Sequence, residues 1–293
     1  MNVITIGEIL WDVVGDTEHL GGAPFNFAAH LGKLGHRMSF VSAVGADARG
    51  QRILDRMSEL GLSTRYVRID KEHSTGLASV TLDGQGQPRF VIPRPAAYDF
   101  PELTNTDLEQ LLSPPPDWIS FGTLLQMSAQ AKRLTLQILD AAPRARRFYD
   151  VNLRPNCYEP SLVHELLSRA AVVKLNDTEA SEIMRMFGGE HGTLEQFCRR
   201  YAAKFKWEGV CVTRGPEGGV MLINDEYVAA QGYPIKAVDT IGAGDAFAAA
   251  FVHGIGSGWP AWEIADFANR VGAVVASYSG AIPDWTIEQA KAL

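Results

Sequence analysis

The sequence predicts an α/β fold, a mostly parallel sheet flanked by helices, with a small β-sheet lid. Three observations carry this expectation. Short continuous apolar runs recur along the chain, as in strands buried on both faces. Stretches with apolar residues at i, i+3 and i+4 separate them, which implies βαβ units. Two further β-like stretches break the alternation and are surplus to such a sheet.

Val3–Gly7 is a short apolar run ending in glycine and reads as a buried strand. Ile9–Val14 follows it at once as an extra β segment. Phe25–Leu34 has helical spacing, with Gly35 as its stop. Met38–Val44 reads as a second buried strand. Ile53, Leu54, Met57 and Leu60 mark a helix that Gly61 ends. Leu77–Leu82 and Arg89–Ile92 flank the turn-rich DGQGQP and predict an antiparallel hairpin. Strand-like and helix-like segments then alternate through Trp118–Phe121, Ala129–Ala142, Phe148–Val151, Leu162–Ala170, Val172–Leu175 and Asp177–Phe187. The expectation is a single domain over residues 1–293, with lid segments near 9–20 and 65–98 inserted.

Composition narrows the function classes. Of 293 residues 46% are apolar and 21% charged, enough to bury a core and unlike a disordered chain. The net charge of −7 argues against nucleic-acid or membrane-surface binding, which needs a basic footprint. Cys157, Cys198 and Cys211 form no C-x-x-C pair and suit a reducing compartment. The opening MNVITIGEILWD lacks a basic n-region, and no run approaches 18 apolar residues, so a soluble cytoplasmic protein is expected. The 28 glycines exceed the usual share without any collagen-like period, so their clusters become the question.

The most informative cluster is Val238-Asp239-Thr240-Ile241-Gly242-Ala243-Gly244-Asp245-Ala246-Phe247. It leads into an Ala-rich apolar helix. Gly242, Ala243 and Gly244 leave backbone unshielded at a helix N-terminus, where free N–H groups and the dipole favour negative charge. Asp245 at the same point is either a helix cap or an acid placed to take a proton from an attacking hydroxyl. Donors for a phosphoryl beside such a carboxylate suit phosphoryl transfer.

This segment resembles the D-T-x-G-A-G-D signature of the ribokinase-like, PfkB-type carbohydrate kinases. The resemblance implies that Asp245 is the catalytic base and that Gly242, Ala243 and Gly244 form the anion hole. It places Asp239 and Ile241 where the family often holds a monovalent cation such as K⁺, although many relatives have Thr where this chain has Ile241. Gly21-Gly22-Ala23-Pro24-Phe25-Asn26-Phe27-Ala28 resembles the family's N-terminal G-G-x-x-x-N-x-A, and its G-G-A-P form looks most like fructokinases. The resemblance implies sugar contacts from Gly21, Gly22 and Asn26. Asp12, in the fructokinase-like opening Gly7-Glu8-Ile9-Leu10-Trp11-Asp12, would hydrogen-bond sugar hydroxyls.

Further motifs follow in family order. Asn176-Asp177-Thr178-Glu179 is a capping-box pattern. It is also similar to the family's N-x-x-E, which implies Asn176 near the nucleotide and Glu179 near Mg²⁺, through water; both readings can hold together. Thr213-Arg214-Gly215-Pro216-Glu217-Gly218 is either a turn between strands or the nucleotide-side loop, with Thr213, Gly215 and Gly218 along the ATP phosphates. Asn269 matches a position near the adenine. Asp150-Val151-Asn152-Leu153-Arg154 resembles the fructokinase D-x-N-x-R; Arg154 contacts substrate or phosphate, or pairs with Asp150. Arg94 is a lid candidate for sugar contact.

The resemblance implies a ribokinase-like kinase that phosphorylates a sugar hydroxyl with ATP and Mg²⁺, most of all fructose, its lid closing over the sugar and pairing two subunits into a homodimer. Another sugar, a sugar acid or a nucleoside is the alternative acceptor, and a non-catalytic sugar-binding protein is the alternative without turnover. A dinucleotide-binding oxidoreductase would want an early G-x-G-x-x-G, but here the G-x-G lies late and Phe247 takes the third position. A P-loop kinase is disfavoured because G-x-x-x-x-G-K-[ST] is absent.

Overall fold

The computed structural model describes residues 1–82, 88–188 and 192–293. The chain forms two compact units, one of Met1–Ile119 with Leu124–Ala145, the other of Ser120–Thr123 with Arg146–Leu293.

The first unit opens with β1 (Asn2–Ile6), β2 (Leu10–Val14), β3 (Thr17–Gly21) and α1 (Ala23–Lys33). Then come β4 (Arg37–Gly45), α2 (Ala48–Glu59), β5 (Val67–Asp70), β6 (Gly76–Leu82), β7 (Pro88–Val91), α3 (Asn105–Leu111), β8 (Trp118–Gly122) and α4 (Ala129–Ala141); the division between units falls within β8. β1 pairs in parallel with β4, and β4 with β5. Val3, Ile4 and Ile6 are wholly buried, which is why β1 reads as a continuous apolar run rather than an alternating one. α1 packs on β1 and β4, with Phe25 edge-on to Phe40 at 5.6 Å between ring centroids.

The surplus β segments form a separate four-stranded sheet in the order β3-β2-β6-β7. β6 and β7 make the predicted antiparallel hairpin; its turn at 83–87 lies outside the described residues. β2 and β6 pair in parallel, Asp12 opposite Ala78, which requires the long excursion through α1, β4, α2 and β5 between them. β3 was not foreseen, because Thr17–Gly21 is largely polar and only part-buried.

The second unit continues through β9 (Arg146–Asp150), α5 (Pro160–Arg169), β10 (Val172–Asn176), α6 (Asp177–Phe187), α7 (Leu194–Phe205), β11 (Gly209–Thr213), β12 (Gly219–Ile223) and β13 (Glu226–Ala230). It ends with α8 (Ala243–Gly256), α9 (Ala261–Ala276) and α10 (Ile287–Lys291). Its strands run in the order β13-β12-β11-β10-β9-β8. β9, β10 and β11 pair in parallel, while β12 and β13 add an antiparallel end that the sequence reading did not anticipate. α5 packs on β9, α6 on β10 and β11, and α9 on β12 and β13. α8 lies against α9, and Ala246–Val252 are buried on every side, so this helix is apolar all round instead of amphipathic.

Among the described residues no helix is long and apolar enough to cross a membrane. The three cysteines are unbridged, and burial pushes the Cys198 thiol up to about 12, which leaves it inert at neutral pH.

Candidate active site

The glycine-rich segment enters α8 through Gly242, its N-cap, at φ 79° and ψ −12°. This left-handed conformation suits glycine, and a Cβ here would fall 2.5 Å from the Ala281 carbonyl oxygen. Gly242 O accepts from the N–H groups of Asp245 (3.1 Å) and Ala246 (2.9 Å), and Ala243 N donates to Thr240 O at 3.3 Å. The N–H groups of Gly242 and Gly244 have no acceptor among the described residues, so orphan donors are presented where the helix dipole is positive. Asp245 is half-buried at the third helical position. It is not the N-cap, so capping does not account for it.

Directly beside these donors lies Lys174, a residue the sequence reading passed over inside the apolar run of β10. The Lys174 side chain is 8% exposed and its Nζ is 3.1 Å from both carboxylate oxygens of Asp150. The pairing follows from register, since Lys174 stands opposite Asp150 across β10 and β9. A Cβ built on Gly244 would sit 3.6 Å from the same Nζ, so the ammonium abuts the first turn of α8. Burial opposes the charge, but the carboxylates of Asp150, then Glu179, then Asp245 override it and hold the ammonium well above the usual lysine range. Lysine in the middle of a buried strand is rare unless paired, and that was the signal available in the sequence.

Asn176 and Glu179 form the expected capping box at the start of α6: Glu179 N donates to Asn176 Oδ1 (2.8 Å) and Asn176 N to Glu179 Oε2 (2.9 Å). The other oxygen, Oε1, accepts from Leu153 N at 2.7 Å, which ties the loop after β9 to α6. Burial pushes the Glu179 carboxyl up, with Lys174 pulling the other way. Among the described residues no cluster of three or more His, Cys, Asp or Glu could hold a metal outright. Each Glu179 oxygen keeps a lone pair beyond these bonds, a donor set that suits a water of a phosphate-bound Mg²⁺.

Arg154 lines an open cavity of about 750 Å³ together with Asn176, Glu179, Tyr158 and Arg185; Asp245 and Gly242–Gly244 are not in that lining. Its Nη1 donates to Asn152 Oδ1 at 2.7 Å, and Asp150 is engaged by Lys174 instead, so the Asp150–Arg154 pair does not form. Thr213 ends β11, and Gly215 and Gly218 shape the turn into β12, where Arg214 N donates to Gly218 O at 2.7 Å. Asn269 is buried on α9, against the surface position usual for a lone Asn, and donates to Ala265 O at 2.7 Å. Asp239 accepts from Ile241 N (2.9 Å) and Gly280 N (3.0 Å), binding the segment before α8 to the loop after α9.

The remaining candidates belong to the first unit. Asp12 is buried on β2, and a Cβ on Gly21 would lie 2.0 Å from its Oδ2, so only glycine lets that carboxylate lie over β3. Gly22 is the N-cap of α1, and the buried Asn26 donates its backbone N–H to Gly22 O at 2.9 Å. Arg94 is committed to Asp99 through Nε and Nη2 and to Leu124 O through Nη1 at 2.8 Å, leaving two of its five N–H donors without an acceptor among the described residues.

A family model described as pfkB family carbohydrate kinase matches residues 6–288. The solved structure of an uncharacterized sugar kinase from Pyrococcus horikoshii in complex with ATP superposes with a TM-score of 0.83, at 25% identity over 99% of each chain. A fructokinase of Escherichia coli is 27% identical over 89% of this chain and 87% of its own length. A 5-dehydro-2-deoxygluconokinase of Geobacillus thermodenitrificans is 25% identical over 94% of this chain and 84% of its own. The expected ribokinase-like fold is thereby established.

Proposed function

The chain belongs to the pfkB family of carbohydrate kinases, and from that premise we propose that it transfers the γ-phosphoryl of ATP to a primary hydroxyl of a sugar, fructose before others. The observation that carries this chemistry is the half-buried Asp245 in the first turn of α8, next to the orphan N–H groups of Gly242 and Gly244. Asp245 takes the hydroxyl proton as the sugar oxygen attacks the γ-phosphorus. The bond from that phosphorus to the β-phosphate oxygen breaks, and ADP leaves with the electron pair. Charge that develops on the phosphoryl oxygens meets the Gly242–Gly244 backbone.

Magnesium, when bound with the nucleotide, would neutralise phosphate charge, with Glu179 holding its waters and Asn176 beside the nucleotide. Thr213, Gly215, Gly218 and Asn269 are the proposed nucleotide contacts. Asp12, Gly21, Gly22, Asn26, Arg94 and Arg154 are the proposed sugar contacts. Asp239 and Ile241 are proposed for K⁺, and a homodimer through the four-stranded sheet is proposed as well.

Fructose is favoured by the G-G-A-P segment and by the likeness to a fructokinase. A sugar-acid-type acceptor is the second reading, since a 5-dehydro-2-deoxygluconokinase is similar to nearly the same degree. A coupled ADP-release assay across sugars, sugar acids and nucleosides, with and without K⁺, tests both. Turnover of fructose is expected, and Asp245→Asn should lower kcat by about 10²-fold or more. Near-wild-type kcat in that variant refutes the general base. A sugar bound without any ATP turnover would restore the binding-protein alternative.

A further inference from the structure

Among the described residues, Lys174 is a buried charged side chain beside the first turn of α8 that no sequence motif singled out. Its ammonium carries three donors. At most two of them serve the two oxygens of Asp150, both 3.1 Å from Nζ. No further acceptor for the third exists among the described residues. The same Nζ lies beside the Gly244 backbone, 3.6 Å from where a Cβ would be. The free donor and the orphan N–H groups of Gly242 and Gly244 therefore belong to one patch at the positive end of α8.

Charge gives a second argument for the same role. Asp150, Glu179 and Asp245 all act on Lys174. Three carboxylates around one ammonium leave a net negative site when all are ionised, and a triphosphate approaching them is repelled. Lys174 is the cation that offsets this repulsion from within, because a residue held by Asp150 inside a strand cannot swing away as a surface lysine does.

Resting on the kinase reading above, we infer that Lys174 is a phosphate-binding residue of this site: its third N–H donates to an oxygen of the transferring phosphoryl, while Asp150 acts as the positioning residue that aims it. The role predicts an effect on the nucleotide and little on the sugar. A merely structural salt bridge predicts loss of stability alone.

The test uses the full chain and three variants, Lys174→Met, Lys174→Arg and the charge-balanced pair Lys174→Met with Asp150→Asn. Melting temperature, affinity for AMP-PNP with Mg²⁺, and kcat and KM for ATP and for the sugar are measured on each. Lys174→Met should weaken AMP-PNP binding about tenfold and lower kcat/KM for ATP by about 10²-fold, the loss typical of an oxyanion donor. The KM for the sugar should stay within about threefold, and Lys174→Arg should retain part of the ATP activity. The double variant, free of an uncompensated buried carboxylate, should regain the wild-type melting temperature without regaining ATP affinity. If Lys174→Met fails to fold, the double variant decides alone. A double variant that recovers both stability and ATP affinity overturns the inference and leaves the kinase reading intact. Wild-type protein that neither binds AMP-PNP nor turns over ATP overturns both.

Discussion

Two glycines of one motif should respond oppositely to the same methyl group. Gly242 holds φ 79°, and a Cβ there would meet the Ala281 carbonyl oxygen at 2.5 Å and its Cα at 2.6 Å. Placing alanine in the left-handed region costs about 1–2 kcal/mol, and the forced contact with backbone adds about 1–3 kcal/mol. Gly242→Ala should thus cost about 2–5 kcal/mol and lower the melting temperature by roughly 4–10 °C at about 2 °C per kcal/mol for a chain of this length. Gly244 has ordinary helical backbone, and its Cβ would meet only Lys174 Nζ at 3.6 Å, an unstrained distance. Alanine inside a helix is favoured over glycine by about 0.5–1 kcal/mol, so Gly244→Ala should melt at or slightly above wild type. That methyl would nevertheless stand 3.6 Å from the ammonium, in the turn that carries the orphan N–H groups, and kcat/KM for ATP should fall about tenfold or more, in the range of losing part of an oxyanion site. Differential scanning calorimetry and the ADP-release assay on both variants decide it. Full activity in Gly244→Ala would refute the phosphoryl site at this turn; equal destabilisation of both variants would refute the conformational account.

Two further outcomes concern stability. Asp47 caps α2, accepting from Gly50 N (2.8 Å), Thr75 N (2.8 Å) and Thr75 Oγ1 (2.7 Å); burial raises its pKa, but these bonds outweigh it and hold the carboxyl below its ordinary 3.8. The Asp47 charge therefore stabilises the fold above about pH 3.8 and loses that effect as pH falls through the depressed value, so the melting-temperature gap between wild type and Asp47→Asn should shrink from pH 6 to pH 3; a gap independent of pH would contradict this. Phe251 is wholly buried in α8, and Phe251→Ala should cost about 3–5 kcal/mol by urea unfolding, with a loss under about 1 kcal/mol showing that the α8–α9 contact is not a close-packed core.

Much of the fold was legible because its signals are local. Continuous apolar runs marked β1, β4, β8, β9 and β10, and Asn176 with Glu179 marked the start of α6 by a capping pattern with the acid three residues after the cap. β3, β5, β12 and β13 were missed or merged; β3 is polar and short, and the antiparallel end depends on a turn at Gly215–Gly218 whose direction composition does not reveal. Closeness in sequence makes Arg154 a candidate partner for Asp150, but neighbours along the chain compete with neighbours across the sheet. Register between β9 and β10 awarded that carboxylate to Lys174.

The sequence by itself determined the chemistry offered at the mouth of α8. A glycine that tolerates positive φ, unshielded N–H groups and an acid three residues after the cap are all consequences of consecutive residues, so Gly242–Asp245 could be read directly. Only the tertiary structure decided which charge stands beside them. Asp150, Lys174, Glu179 and Asp245 come from two strands and two helix starts spread over nearly a hundred residues, and electrostatic interaction falls with distance in space rather than along the sequence. Parallel pairing of β9 with β10, and the entry of α8 beside them, turned a lysine hidden in an apolar run into the cation of the site.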